Sequence, residues 1–157
     1  MGQQQLLLVI LVTIIVGIAT VVAINTFGTA ADSANVDAVR QDIAQIAAAA
    51  QGYYMKPAML GGGGRTFDAG GTDQDSDDAD GINFRSMAFA SSGVSADGLQ
   101  AWNENGVYVI TGRDANEFTI TGHPASRLDE APDEDVTGDD PLIAVVTSNA
   151  LSWTSSN

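Results

Sequence analysis

The strongest pattern in the sequence is an uninterrupted apolar run near its beginning. The run from Leu6 to Ile24 contains no charged side chain, and it follows the polar residues Gln3, Gln4 and Gln5. As an α-helix it would extend about 28 Å, close to the ~30 Å thickness of the hydrocarbon core of a bilayer. Exposing so much apolar surface to water is unfavourable. The run therefore predicts a helix that enters a membrane, is removed as a signal peptide, or is buried among other copies of itself.

The residues within and around the run bear on these three fates. A signal peptide begins with a basic region and has a shorter apolar core, whereas the first basic residue here is Arg40. A membrane anchor stays an alternative, although neither a Trp or Tyr nor a basic cluster marks the ends of the run. Burial among copies is favoured by composition, because 12 of the 19 residues are Val, Ile or Thr. Gly17 and Ala19 would let such helices approach closely.

A second helical pattern follows between Asp32 and Met55, where apolar residues recur at alternating spacings of three and four. This spacing predicts one buried face of an amphipathic helix, which should end at Lys56-Pro57 because proline cannot continue it. A bend or an unwound turn is expected near residues 25–30, where several residues are poor helix formers. A continuous helix over residues 3–55 would be nearly 80 Å long. The residues expected to pack against a sheet are Val36, Val39, Ile43, Ile46, Ala50 and Tyr53. The polar residues expected outside this packed face are Asp37, Arg40, Gln41, Asp42 and Gln45.

The rest of the chain has the alternation and the turn residues of β-strands. Residues 106–111 and 117–121 are separated by a five-residue loop and predict an antiparallel hairpin. Residues 142–147 predict a further strand, and residues 151–154 a last one. The stretch 82–90 is compatible with either a strand or a short helix. These strands predict a small antiparallel sheet packed on the amphipathic helix.

These patterns divide the chain into two regions. Residues 1–57 form the helical region, and residues 58–157 form an acidic, β-rich domain that begins with a linker or loop at Gly61–Gly64. The predicted fold class is α+β: a long N-terminal α-helix, apolar and then amphipathic, packed on a small C-terminal antiparallel β-sheet. About 100 residues with few aromatic side chains suffice for one modest core.

The charge of the chain is strongly negative, with 20 acidic residues against six basic ones and a net charge of −14. Such a surface is typical of proteins adapted to high salt, where hydrated carboxylates maintain solubility and ions screen their repulsion. It also argues against binding of nucleic acid, whose phosphates would be repelled. The sequence contains no cysteine, so no disulfide stabilises the domain.

One acidic segment has the pattern of a cation-binding loop. Its carboxylates alternate with small or polar residues and end at Gly81, so that oxygen ligands could converge on Ca²⁺. The segment lacks the glutamate that closes an EF-hand loop, and a solvated acidic loop remains the alternative. No cofactor is otherwise required. The candidate calcium ligands are Asp73, Asp75, Asp77, Asp78 and Asp80.

No arrangement of catalytic residues is recognisable in the sequence. His123 is the single histidine, and without cysteine or a second histidine neither a catalytic triad nor a zinc site can be assembled. We expect a protein that is not an enzyme.

The N-terminal pattern resembles the type IV pilin family. The resemblance rests on the apolar run from Leu6 to Ala19, on its continuation through Arg40-Gln41-Asp42-Ile43, and on the order of helix first and sheet after. It covers about 55 residues well and the remainder only as architecture. It implies a homopolymer of identical subunits whose apolar helices bundle in the core of an extracellular filament. Subunits would wait in the inner membrane before an assembly ATPase and platform proteins extract them.

Two features depart from that family. Members usually carry a glutamate at the fifth mature position, thought to pair with the N-terminal amine of a neighbouring subunit, whereas this chain has Gln5. A short basic leader ending in glycine is also missing, so Met1 is either the mature N-terminus or cleavage is unusual. We expect Gln3, Gln4 and Gln5 either to form amide hydrogen bonds with each other and the amine in the filament core, or to lie at the water interface.

The expected function is that of a major structural subunit of a type IV pilus-like filament. The alternatives are a single-pass anchored domain that binds calcium or a partner at the cell surface, and a minor pilin or secretion pseudopilin. The residues expected at the subunit interface are Gln3, Gln4, Gln5, Leu6, Leu7, Val9, Ile10, Thr13, Ile14, Gly17, Ile18 and Val21.

Overall fold

The computed structural model describes residues 2–68, 81–133 and 140–154 of the chain. It contains one long α-helix and a six-stranded antiparallel sheet, which confirms the α+β class. By their contacts, residues 1–34 and 35–157 form two compact units. The elements are α1 (Gly2–Met55), β1 (Gly93–Val94), β2 (Gln100–Asn103), β3 (Gly106–Thr111), β4 (Glu117–Pro124), β5 (Leu142–Thr147) and β6 (Leu151–Thr154), with short 3₁₀ helices at Ala58–Leu60 and Ala125–Arg127.

Helix α1 is continuous through residues 25–30, where the sequence favours a bend or an unwound turn. The hydroxyl of Thr26 donates to the carbonyl of Val22 at 2.8 Å, and that of Thr29 donates to the carbonyl of Asn25 at 3.0 Å. These side chains therefore bond within the helix instead of competing with its backbone ladder. We call residues 2–34 the apolar half of α1 and residues 35–55 its amphipathic half.

The sheet is a simple meander in which each strand pairs with the next one along the chain. The predicted hairpin is confirmed as β3 and β4, although β4 continues to Pro124. Strands β5 and β6 have the predicted bounds. Strands β1 and β2 were not predicted, because β1 has only two residues and β2 lacks clear alternation. Residues 81–90 form turns and not a strand or a helix.

The core of the second unit lies between the amphipathic half of α1 and the sheet. Phe118 and Ile120 of β4 pair across the sheet with Val146 and Ala144 of β5, and all four are buried. Gly122 lets the helix approach closely: a Cβ atom there would lie 2.8 Å from Cδ1 of Ile43 and 3.0 Å from Cγ1 of Val39. The contact between helix and sheet thus depends on the absence of a side chain in β4.

The segment Gly61–Gly64, predicted as a linker or loop, is a loop that forms a compact cap at the end of α1. The backbone N–H of Gly63 donates to the carbonyl of Tyr53 at 2.8 Å, and that of Arg65 donates to the carbonyl of Tyr54 at 2.9 Å. These bonds satisfy carbonyl groups that a helix leaves open at its C-terminus. A Cβ atom on Gly63 would lie 2.0 Å from the carbonyl oxygen of Thr66. The run of glycines therefore serves close backbone packing.

Candidate assembly surface

The apolar half of α1 exposes its apolar side chains all around its circumference. Among its large apolar residues from Leu6 to Phe27, the exposed fraction ranges from 48% at Val12 to 75% at Phe27. The most apolar 18 residues have a mean hydropathy of 3.2, and none of them is buried within the chain. A helix that is apolar on every side is stable only in a protein core or in lipid. By length and composition, α1 can cross a membrane.

The residues expected at a subunit interface all lie in this half, and all are exposed. They begin with Gln3, Gln4 and Gln5 in the first turns of the helix, which carry no acidic side chain. The apolar members and Thr13 fall within about half of the helix circumference, so they form one broad face of the helix. Contacts between copies stay a prediction. The exposed members are Gln3, Gln4, Gln5, Leu6, Leu7, Val9, Ile10, Thr13, Ile14, Gly17, Ile18 and Val21.

The threonines of the apolar half form hydrogen bonds within the helix. The hydroxyl of Thr13 donates to the carbonyl of Ile10, and that of Thr20 donates to the carbonyl of Val16, both at 2.8 Å. A hydroxyl that already has a partner is much less costly to transfer into lipid or a protein core. The sequence pattern predicts only that these threonines pack as β-branched residues. It does not reveal the hydrogen bonds of their hydroxyl groups.

Gly17 has no steric role among the residues that the structure describes. A Cβ atom built there would have no neighbour within 4 Å, and the same holds for Gly28. This contrasts with Gly122, where a Cβ would press on helix side chains. A small residue at position 17 therefore gives room for contacts outside the chain, such as the close approach of another helix.

The amphipathic half of α1 packs on the sheet with a continuous apolar seam. The predicted seam residues Val36, Val39, Ile43, Ile46 and Ala50 are all buried. Tyr53 is half-buried and packs at the edge of the core. The seam contacts a cluster of sheet and loop side chains that includes Phe67, Tyr108, Phe118, Ile120, Ala144 and Val146.

A buried carboxylate adds a polar contact to this seam. Asp42 is 9% exposed, and its Oδ2 atom accepts three hydrogen bonds: from the hydroxyl of Tyr108 at 2.6 Å, from Nδ2 of Asn105 at 2.8 Å and from Nδ2 of Asn103 at 2.9 Å. Burial, together with the Asp42 carboxylate, raises the pKa of Tyr108 well above its ordinary value. The sequence pattern placed Asp42 outside the packed face, which is wrong.

A second polar contact fixes the start of the amphipathic half. Nδ2 of Asn35 donates to the carbonyl of Asn105, and Oδ1 of Asn35 accepts from the backbone N–H of Ser126, both at 3.0 Å. The helix is thus bonded to the β2–β3 turn and to the 3₁₀ helix after β4. Because hydrogen bonds are directional, these two bonds of Asn35 fix the register of the helix along the sheet.

The candidate calcium ligands Asp73, Asp75, Asp77, Asp78 and Asp80 lie outside the described residues. Within residues 2–68, 81–133 and 140–154, no group of three or more acidic, histidine or cysteine side chains is placed to hold a metal ion. His123 is buried near the end of β4. A calcium site in the acidic segment stays a prediction.

Comparison with known proteins adds no relative. No protein-family model matches the sequence, no curated protein matches it, and no solved structure matches the fold.

Proposed function

We propose that this chain is the major structural subunit of an extracellular filament of the type IV pilus kind. Subunits would wait in a membrane through the apolar half of α1 and then polymerise by bundling these halves. The observation that carries the proposal is the exposure of the whole circumference of that helix, with its threonine hydroxyls bonded internally. Both environments, lipid first and neighbouring helices afterwards, suit such a surface.

Relative to exposure in water, bundling of the apolar half gives each subunit a large gain in free energy. Burying one large apolar side chain contributes roughly 1.5–3 kcal/mol relative to exposing it to water. The apolar half carries more than a dozen such side chains, from Leu6 to Phe27. Between lipid and a bundle this gain is smaller, and close packing then decides. The open space around Gly17 supports such packing.

The acidic surface fits a filament in saline surroundings. Of the 20 acidic residues, none precedes Asp32. Residues 2–31, which make up most of the apolar half, therefore contribute no charged side chain to a filament core. Because salt screens the repulsion between neighbouring domains, such filaments should be more stable at molar salt than in dilute buffer.

A single-pass anchored domain is the second candidate, favoured by the length and hydropathy of the apolar half. It would place the same helix permanently in lipid, with a single copy acting at the cell surface. A minor pilin or secretion pseudopilin would share the architecture without forming a long polymer.

Electron microscopy of filaments sheared from cells that produce the chain, with mass spectrometry of their subunit, tests the proposal. We expect abundant thin filaments composed of this chain. A chain found only in the membrane fraction, with no filaments in the sheared material, would refute the proposal and favour the anchor. Finding the chain as a rare component of filaments built from another subunit would favour a minor pilin.

Replacing Gln5 tests the role of the N-terminal amides. We expect Gln5→Leu to reduce filament yield, because it removes a hydrogen-bonding group that would be buried with the amine in the core. Gln45→Leu is the matched control, since Gln45 is exposed in the amphipathic half. Equal filament yields from the two variants would place the glutamines at the water interface instead.

A further inference from the structure

The turn between β2 and β3 contains the single Asn-Gly pair of the sequence, Asn105-Gly106. The backbone nitrogen that follows an asparagine can attack the carbon of the side-chain amide and displace ammonia. Glycine in the following position hinders this attack least, because it has no side chain and the greatest backbone freedom. Asn105 is half-buried and Gly106 is buried, so the surroundings of the pair in the fold control its reactivity.

The side chain of Asn105 is held by helix α1. Nδ2 of Asn105 donates to Oδ2 of the buried Asp42 at 2.8 Å, and the same oxygen accepts from Tyr108 and Asn103. Hydrogen bonds to an ionised acceptor are stronger than those between neutral groups. While this bond is made, the amide of Asn105 is not free to turn towards the backbone nitrogen of Gly106.

The backbone nitrogen of Gly106 is held as well. Its N–H donates to Oδ1 of Asn103 at 3.2 Å, and the N–H of Asn105 donates to the same oxygen at 2.9 Å. Gly106 lies opposite Pro124 in β4, and a Cβ atom built on it would lie 2.1 Å from the carbonyl oxygen of His123. The peptide between Asn105 and Gly106 is therefore fixed by a side chain on one side and by close strand packing on the other.

The carbonyl group of Asn105 makes two further contacts. It accepts from the backbone N–H of Ala125 at 2.8 Å and from Nδ2 of Asn35 at 3.0 Å. Through its side chain and its carbonyl, Asn105 thus contacts α1 at both Asp42 and Asn35, and it also contacts the 3₁₀ helix after β4. A chemical change at this one residue acts on all three contacts.

Deamidation would alter each of these contacts. A bond forms between the nitrogen of Gly106 and Cγ of Asn105, the bond from Cγ to Nδ2 breaks, and ammonia leaves with the proton of the backbone nitrogen. Water then opens the cyclic imide to aspartate or isoaspartate. Aspartate places a second carboxylate beside Asp42, where like charges repel. Isoaspartate routes the main chain through the former side chain, which displaces the carbonyl that accepts from Ala125 and Asn35.

We propose that Asn105 is a deamidation site that acts as a one-way conformational switch. The docked helix suppresses the reaction, separation of α1 from the β2–β3 turn permits it, and neither product allows the helix to dock again in the same way. The reaction needs only water. The switch goes beyond the proposed filament and does not depend on it, because every residue involved lies between Asn35 and Ala125.

Mass spectrometry of the peptide that contains Asn105 tests the suppression. The full-length chain is incubated in neutral detergent and mildly alkaline buffer, with and without denaturant, and conversion of the amide to the acid is followed with time. We expect conversion in the folded chain to be at least tenfold slower, because it proceeds only through the small population in which the turn has opened. A difference smaller than tenfold would overturn the proposal.

Asn103→Ala tests the hold on the backbone nitrogen. It removes the acceptor of the N–H groups of Asn105 and Gly106. In the folded chain we expect deamidation to accelerate roughly five- to tenfold, which corresponds to the loss of about 1–1.4 kcal/mol. Asn116→Ala, at an exposed position of the β3–β4 loop, is the matched control and should leave the rate unchanged. Equal rates in the two variants would contradict the hold, and the comparison of the wild-type chain with and without denaturant needs no variant.

Asn105→Asp tests the consequence of the reaction. This variant carries the aspartate product from the start, and Asn116→Asp adds the same charge at an exposed site. We expect Asn105→Asp to unfold at a clearly lower denaturant concentration than the wild-type chain, or not to fold, whereas Asn116→Asp should keep the wild-type midpoint. Wild-type chain deamidated in denaturant and returned to buffer should share the lower midpoint. If Asn105→Asp and Asn116→Asp unfold at the same concentration, the product docks normally and the switch is refuted.

Discussion

The two halves of α1 belong to one continuous helix, yet their apolar side chains lie in opposite environments, exposed in one half and buried in the other. Residues 6–27 expose large apolar side chains on all sides, whereas the apolar residues of the seam from Val36 to Ala50 are buried against the sheet. The apolar surface of the amphipathic half is therefore buried within its own chain. The apolar surface of the apolar half is not buried in this way, so it requires lipid or a protein core outside the chain. The same residue types should thus have different measurable roles in each half.

The sharpest test of this difference is the truncation of one isoleucine in each half. Ile43 is fully buried and Ile14 is 55% exposed. We expect Ile43→Ala to lower the free energy of unfolding of the domain by about 2–5 kcal/mol, because it leaves a cavity in the core. Ile14→Ala should leave that free energy unchanged and reduce filament yield. Denaturant unfolding of the full chain in detergent and microscopy of sheared filaments measure the two effects. A stability loss with Ile14→Ala would contradict the division.

The next test concerns the charged contact that only the amphipathic half possesses. Asp42→Ala leaves the donors of Tyr108, Asn103 and Asn105 without their acceptor. We expect a loss of about 3 kcal/mol in unfolding free energy, since each unsatisfied buried group costs roughly 1–3 kcal/mol. Asp37→Ala is the control: its exposed pair with Arg40 should contribute less than about 1 kcal/mol. Similar losses from both variants would show that Asp42 is not a buried anchor.

Asp42 also illustrates what can be read from the sequence and what cannot. The seam was predictable because its apolar residues repeat with helical spacing. Asp42 lies three residues after Val39 and four before Ile46, so it shares their face, but a charged side chain is ordinarily assigned to solvent. Its partners are 61 to 66 residues away in the chain. No local pattern reveals that two asparagines and a tyrosine converge on one carboxylate.

The sheet shows the same limit. The strands from β3 to β6 were predictable from alternation and intervening turn residues. β1 and β2 depend on pairing: Ala101 lies opposite Tyr108, and Val94 opposite Ala101. For the glycines at 61–64 the sequence leaves both a linker and a loop open, because composition does not distinguish a mobile segment from one that needs close backbone contact. For the candidate assembly surface, the sequence identifies the exposed helix, whereas the hydrogen bonds of Thr13 and Thr20 become visible only in the structure.

Glycine substitutions extend the comparison from side chains to backbone packing. We expect Gly122→Ala to lower the unfolding free energy by about 1–3 kcal/mol, because the new methyl group presses on Ile43 and Val39. Gly17→Ala should not destabilise the isolated chain, because the site is open and alanine favours helix. It should instead impair filament assembly by keeping helices apart. Thermal unfolding in detergent and filament yield separate the two. Unimpaired filament assembly by Gly17→Ala would contradict the proposed role of a small residue at position 17 in contacts between helices.

Ionisation provides the smallest effect and a clear contrast, because no ionisable side chain precedes Asp32. In the domain, burial raises the pKa of Tyr108 and also that of Tyr53. A folded-state pKa above the unfolded value of about 10 means that the unfolded chain releases its proton first. The associated stability is complete below pH ~10 and is lost as the pH rises further, by about 1.4 kcal/mol per pH unit for the fully buried Tyr108.

We therefore expect urea unfolding of the full chain to show falling stability from pH 10 to pH 11, with a smaller slope in Tyr108→Phe. Tyr53→Phe should reduce the slope less. Tyr53 is only half-buried, and the positive charge of Arg113 offsets part of the rise in its pKa that burial causes. Filaments held by the apolar half should keep their helical core over the same interval, since residues 2–31 carry no ionisable side chain. A filament that dissociates before the domain unfolds would show that contacts between domains, and not the apolar bundle, hold it together.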